Sequence, residues 1–210
     1  MCSNFTQNFK TRKPKFEDFI DPDQITFDLE DKNIFPHQKA IVICKNTIEE
    51  MNFSLIPEWS KERKPKFATY NARIESILEK PTWKNSFLKY HCIIPISTFR
   101  EPVYEGKMAG NIVEFSSDET LLAAGIYNNW VDKSTGEIVP SFAIITQSPY
   151  PFIQKVGHDR SPLFLDSKKA KEWLLNVGQS PNELKQYLEK NYKPFEEFNV
   201  LKVRELKTKP

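Results

Sequence analysis

Six glycines in a chain of 210 residues leave little room for phosphate-cradling turns. Neither a GxxxxGK[ST] loop nor a GxGxxG turn occurs, and HExxH and GxSxG are also missing, so the common nucleotide-binding, zinc-protease and serine-hydrolase motifs are excluded. Cysteine is equally sparse. Cys2, Cys44 and Cys92 make neither an even disulfide set nor a CxxC pair, which predicts free thiols in a reducing compartment and speaks against a structural zinc site. No apolar run approaches the roughly 20 residues that span a bilayer, and MCSNFTQNFK lacks a secretory-signal core. A cytoplasmic protein with no membrane contact is expected. Thirty basic residues against 28 acidic ones leave a net charge of +2, too small for a polycation or an acidic tail, so any nucleic-acid contact must be local.

What is present is apolar and aromatic. With 39% hydrophobic and 13% aromatic residues the chain can bury one substantial core, and one domain over residues 1–210 is expected. Fifteen prolines punctuate short apolar runs, the pattern of many short strands joined by fixed turns. The β-branched and aromatic content predicts strands over residues 53–57, 91–96, 111–115, 121–127, 142–146 and 200–206. Two helices are expected late in the chain. Ser167 can cap residues 168–175, and Ser180-Pro181-Asn182-Glu183 places a cap and a first-turn proline before Leu184, Tyr187 and Leu188. The basic runs 10–15 and 61–66 read as exposed loops. The fold class is α+β and β-rich, with no repeat or low-complexity segment.

Cys2 is the residue of chemical interest. Once Met1 is removed, one carbon skeleton carries an α-amine with reference pKa about 7.7–8.0 and a thiol near about 8.5. The amine can condense with an aldehyde to a Schiff base, and the thiolate can close on the same carbon to a thiazolidine. Taken alone, a cysteine after the initiator methionine is usually incidental.

Further segments change that weighting. Met1-Cys2, Leu55-Ile56-Pro57-Glu58-Trp59, Asn71-Ala72-Arg73-Ile74-Glu75, His91-Cys92-Ile93-Ile94-Pro95 with Phe99-Arg100-Glu101, and His158-Asp159-Arg160-Ser161-Pro162 occur in order. Between the last two blocks lie Ala124-Gly125-Ile126-Tyr127 and Phe142-Ala143-Ile144-Ile145-Thr146. Together they resemble the SOS-response-associated peptidases, also described as abasic-site processing or DNA–protein cross-linking proteins. The resemblance covers residue 2 to about residue 165 and leaves 166–210 as helical segments and a final strand.

The resemblance implies a curved, barrel-like antiparallel sheet with a few peripheral helices. It implies that Cys2 is the nucleophile, that Asn71 orients the sugar or the cysteine backbone, and that Glu101 and His158 move protons during ring opening and Schiff-base chemistry. The same residues would release Met1, hence the name peptidase. The expected partner is single-stranded DNA containing abasic sites, bound by a monomer with no metal or cofactor. Trp59 is a candidate stacking platform, Arg73 and Arg160 are candidate phosphate ligands, and Pro36 with Phe35 occupies a loop bordering the DNA groove. Trp59 could instead be core, as an isolated tryptophan more often is, and Asn71 could simply end a turn. The chain departs from the family pattern in Ser3-Asn4 for Gly-Arg, in Phe53-Ser54 for Trp-Gly and in Phe35 for alanine; Arg100 is a candidate for the missing cation. Two other readings stay open: a non-covalent single-stranded nucleic-acid binding module, and a cysteine peptidase acting on other chains.

Overall fold

Alternating apolar positions, interrupted by proline and by polar turns, arrange most of this chain around a closed barrel in the computed structural model, which describes residues 2–12, 14, 16–21, 29–176 and 179–206. The barrel wall consists of β3 (Lys39–Cys44), β4 (Thr47–Phe53), β6 (His91–Val103), β7 (Asn111–Val131) and β8 (Ile138–Gln147). Its order is β7-β8-β4-β3-β6, and β6 closes it by pairing with β7. Neighbours are antiparallel except β4 and β8, which run parallel through Asn52↔Ser141 and Phe53↔Phe142. Short β5 (Asn71–Arg73) continues that parallel pairing farther along β8, at Ile144 to Thr146. Outside the wall, β1 (Asn4–Gln7) joins β6 and β2 (Lys32–Ile34) joins β1, while β9 (Ser161–Pro162), β10 (Phe164–Leu165) and β11 (Asn199–Glu205) add to β8 and β7.

Four helices surround the barrel: α1 (Pro81–Lys89), α2 (Pro151–Val156), α3 (Ser167–Leu175) and α4 (Pro181–Asn191). One face of the wall, with Ile93, Leu122, Ala124 and Ile126, packs under Trp83 and Phe87 of α1, Trp173 of α3 and Leu184 of α4. The other face, with Val42, Met51, Phe53, Ile94, Phe142 and Ile144, packs on itself and receives Cys2 and Phe5. None of the helices among the described residues is long and apolar enough to cross a membrane.

Closure between β3 and β6 depends on a side chain. Their ladder is formed at Ile43↔Ile93, and Pro95 has no N–H to extend it. Gln7 fills the gap: its amide donates to Ile41 O at 2.7 Å and Pro95 O at 3.0 Å, while its Oε1 accepts from Ile41 N at 2.9 Å.

A bulge in β6 then decides what faces inward. The β6–β7 register jumps from Ile96↔Leu121 to Thr98↔Ser116, so Ser97 has no partner and residues 117–120 leave the ladder. Before the bulge the inward residues are Cys92, Ile94 and Ile96; after it they are Phe99 and Val103. One extra residue switches the inward set from even to odd positions, and Glu101 becomes fully buried.

Several elements differ from their sequence expectation. The run 53–57 is not a strand: β4 ends at Phe53 because Ser54 adopts φ 139°, and Leu55 to Pro57 form a buried connection. The runs 111–115 and 121–127 belong to one strand, β7, broken by the β6 bulge. Strands β1 to β3 and helices α1 and α2 have no counterpart among the expected elements. Asp166, not Ser167, caps α3 by accepting from Lys169 N at 2.8 Å. In α4 Ser180 and Glu183 form the reciprocal capping box that their spacing suggests.

Candidate active site and nucleic-acid face

Four residues from distant parts of the chain come together. Residue 2 enters just before β1, whose pairing with β6 (Asn4↔Arg100, Phe5↔Phe99) sets it beside the segment that bears Glu101. Asn71 opens β5, held on β8 by the parallel register, and its Nδ2 donates to Cys2 O at 2.9 Å. The other amide atom, Oδ1, is buried without a hydrogen-bond partner among the described residues. Asn71 thus fixes the backbone of residue 2 and keeps an acceptor to spare.

His158 follows α2 through Gly157, whose φ of 105° is open to glycine at little cost. A β-carbon at Gly157 would collide with Glu105 O, so the close approach of this turn to the end of β6 requires glycine. That approach brings His158 Nε2 to 3.2 Å from Glu101 Oε2, with the two side chains 1% and 0% exposed. His158 Nδ1 lies 2.8 Å from Pro102 O, which can only accept, so Nδ1 carries a hydrogen. The Nε2···Oε2 contact is then a hydrogen bond only if one further proton lies between the two groups. A proton held there would make the pair either imidazolium and carboxylate or imidazole and carboxylic acid.

The thiol shares this environment. Cys2 is fully buried, and burial, reinforced by the Glu101 carboxylate, pushes its thiol well above the ordinary range. Its Sγ donates weakly to Asn4 O at 3.8 Å. The resting sulfur is therefore a thiol, and a thiolate would have to form during reaction. Met1 lies outside the described residues. Among those described, no group of three or more histidine, cysteine or acidic side chains is placed to hold a metal ion.

The candidate DNA contacts fall into two groups. Trp59 is 56% exposed and stacks on Phe67, itself 49% exposed, with ring centroids 6.3 Å apart. Trp59 is presented by an anchored loop, since Ile56 N donates to Ser141 Oγ at 2.8 Å, Asn128 Nδ2 to Ile56 O at 2.8 Å, and Trp130 Nε1 to Ser60 O at 2.9 Å. Around this pair Lys61, Lys64 and Lys66 are exposed, and Arg63 meets Glu137 at 3.2 Å. The second loop, with exposed Phe35, half-buried Pro36 and exposed His37, is bonded to β4 through His37 N to Phe53 O. Burial and then the Lys64 charge lower the His37 pKa. Arg73 is also exposed.

Arg160 and Arg100 are placed differently. The Arg160 guanidinium is mostly buried and forms a fork on Glu75 at 2.7 and 3.0 Å, with Thr146 Oγ1 at 3.3 Å. Burial raises the Glu75 carboxyl, but the bonds and charge of Arg160 outweigh it and hold the group below its usual range. Arg100 is tied to Glu114 at 2.7 Å and to Asn4 Oδ1 at 3.2 Å. Phe67, half of the exposed stack, and Gln7, which closes the barrel, were not among the sequence candidates. Only the aromatic pair flanking a basic run signalled the first, and nothing local signalled the second.

A closed β-barrel that gathers a thiol near the start of the chain, an amide and a buried carboxylate–imidazole pair defines a cysteine-centred site on an α+β scaffold. The family profile described as SOS response associated peptidase (SRAP) matches residues 1–209, and the chain belongs to that family. It is 30% identical to the abasic site processing protein YoaM of Bacillus subtilis, over 90% of this chain and 85% of that one. It is 24% identical to the abasic site processing protein HMCES of Xenopus tropicalis, over 70% of this chain and 50% of the other. A crystal structure of a Bacteroides thetaiotaomicron protein superposes with a TM-score of 0.71 at 25% identity, covering 97% of this chain and 92% of that one.

Proposed function

We propose that this protein processes abasic sites in DNA, as the names of its relatives suggest, by capturing the abasic aldehyde covalently through Cys2 after Met1 is removed. The observation that carries the reading is the convergence of residues 2, 71, 101 and 158. Asn71 holds Cys2 at 2.9 Å, and the buried Glu101–His158 pair, joined at 3.2 Å, supplies one mobile proton beside it. Because the thiol is held protonated, the amine is the better first nucleophile. It adds to C1′ of the open-chain deoxyribose, the carbinolamine loses water to a Schiff base, and the thiol adds to the C=N carbon. The sulfur proton passes to nitrogen, leaving a thiazolidine; aldehyde plus aminothiol gives thiazolidine plus water. The Glu101–His158 pair can both take the sugar hydroxyl proton and protonate the ring oxygen during ring opening. Asn71 Oδ1 is available to the freed amine. Stacking on Trp59 and Phe67 with cations from Arg73 and the 61–66 loop suits single-stranded DNA of any sequence, and Pro36 is a further candidate contact. Arg160, engaged with Glu75, would reach a phosphate only by sharing its fork.

The test mixes the purified protein with a single-stranded oligonucleotide carrying one abasic site. A heat-stable band on a denaturing gel is expected from the wild type, and none from Cys2→Ala, which should still bind without a covalent bond. Intact mass should show the loss of one methionine residue. A covalent band that survives Cys2→Ala removes Cys2 as the nucleophile, and salt-sensitive binding with no adduct from the wild type leaves the protein a non-covalent binding module.

A further inference from the structure

The buried quartet leaves one step without a protein partner: when an amine adds to an aldehyde, the carbonyl oxygen gains negative charge and needs a hydrogen-bond donor. The residue just before Asn71 carries a phenol. Tyr70 is half-buried where Cys2, Asn71, Glu101 and His158 are buried. Its backbone is fixed on β8, where its carbonyl accepts from Ile144 N at 3.0 Å. Its ring packs edge-on against Phe53 with centroids 5.8 Å apart, and Phe53 packs edge-on against Phe5, three residues after Cys2, at 5.1 Å. The neighbouring connection is tied to it, since Leu55 N donates to Thr69 O at 3.1 Å. On either side, the Ser54 and Thr69 hydroxyls are buried with no hydrogen-bond partner among the described residues. This stretch, set beside the nucleophile, therefore holds more polar groups than it satisfies.

We infer that Tyr70 is a further catalytic residue, whose phenol donates a hydrogen bond to the oxygen of the abasic aldehyde as the Cys2 amine attacks. The inference rests on the covalent reading above. In the step, the nitrogen lone pair forms the C–N bond and the C=O π pair moves onto oxygen. Tyr70 O–H bonds to that oxygen, and the proton released by nitrogen ends on it to give the carbinolamine. Tyr70 keeps its own proton throughout. Burial, then the Glu101 carboxylate and the Cys2 sulfur, raise the phenol above its ordinary range, so it stays a donor through neutral pH.

Tyr70→Phe keeps the ring on Phe53 and removes only the hydroxyl. The rate of adduct formation at saturating abasic oligonucleotide should fall on the order of 100-fold, as for loss of one oxyanion donor. The half-saturating concentration and the melting temperature should hold. In a second variant, 3,5-difluorotyrosine at position 70, whose phenol ionises at lower pH, should lose rate at a correspondingly lower pH than tyrosine does. An unchanged saturating rate in Tyr70→Phe overturns the inference, as does a pure loss of affinity or a pH profile unmoved by the fluorinated side chain. If the wild type forms no adduct, the covalent reading fails first, and that result is distinct from a wild type that reacts as fast as Tyr70→Phe.

Discussion

Replacing Glu101 by glutamine separates the chemistry of the buried pair from its structural part. In the wild type His158 donates through Nδ1 to Pro102 O, its Nε2 lies 3.2 Å from Glu101 Oε2, and the proposed chemistry places one mobile proton between those two atoms. In Glu101→Gln the new amide can donate to the Nε2 lone pair. Histidine is then neutral, no charge is stranded, and the volume is unchanged. The net worth of such a hydrogen bond is about 0.5–1.5 kcal/mol, so the swap should shift stability by about 1 kcal/mol or less. For a chain of this length that is a melting change of about 2–4 °C. Glu101→Leu, by contrast, leaves His158 without that partner in a dry site and should cost about 3–5 kcal/mol. The mobile proton is gone in both. Loss of a positioned acid–base group typically costs about 10²–10⁴ in rate. Melting by circular dichroism paired with single-turnover adduct formation on a denaturing gel reads both quantities. A Glu101→Gln protein that melts like the wild type and cross-links as fast would refute the shared-proton reasoning.

Gln7→Leu should destabilise the fold by about 2–3 kcal/mol, because Ile41 N–H and two buried carbonyls lose their partners; a denaturant midpoint equal to wild type would remove its role in barrel closure. Trp59→Ala should leave the melting temperature unchanged yet weaken non-covalent binding of intact single-stranded DNA by about 1–3 kcal/mol, measured by fluorescence anisotropy; undiminished binding would move the stacking face elsewhere. Since burial and then Glu101 raise the Cys2 thiol, its thiolate fraction at pH 7–8 is below that of free cysteine. Alkylation of Cys2 by iodoacetamide, followed by peptide mass, should therefore be slower than for free cysteine and still climbing above about pH 9; a rate that levels off below pH 8 would contradict the raised thiol.

Much of this molecule was legible in its sequence. The late helix α4 is written in Ser180-Pro181-Asn182-Glu183, and the strand character of β6, β7 and β8 in runs such as Ile93-Ile94 and Ala143-Ile144-Ile145, because capping and alternation are local. Short β1 and β2 were not legible, since a few residues without a strong pattern become strands only when a wall is there to pair with. The ordered motifs contain the four residues that the fold brings together, but each motif by itself was ambiguous. Trp59 illustrates the ambiguity: a lone tryptophan reads as core, and its exposure follows from bonds to Ser141, Asn128 and Trp130 far along the chain.

The amino-acid sequence by itself determined the apolar content available for burial, the aminothiol chemistry that residue 2 can offer and the polar residue types elsewhere in the motifs. Tertiary structure alone decided that Glu101 faces inward, through the unpaired Ser97 of β6, and that Gly157 carries His158 up to it. It also decided that the mostly buried Arg160 forks onto Glu75. The reason is physical: local propensity reaches a few residues along the chain, whereas register, bulges and closure are settled by pairing partners that the chain meets only when it folds.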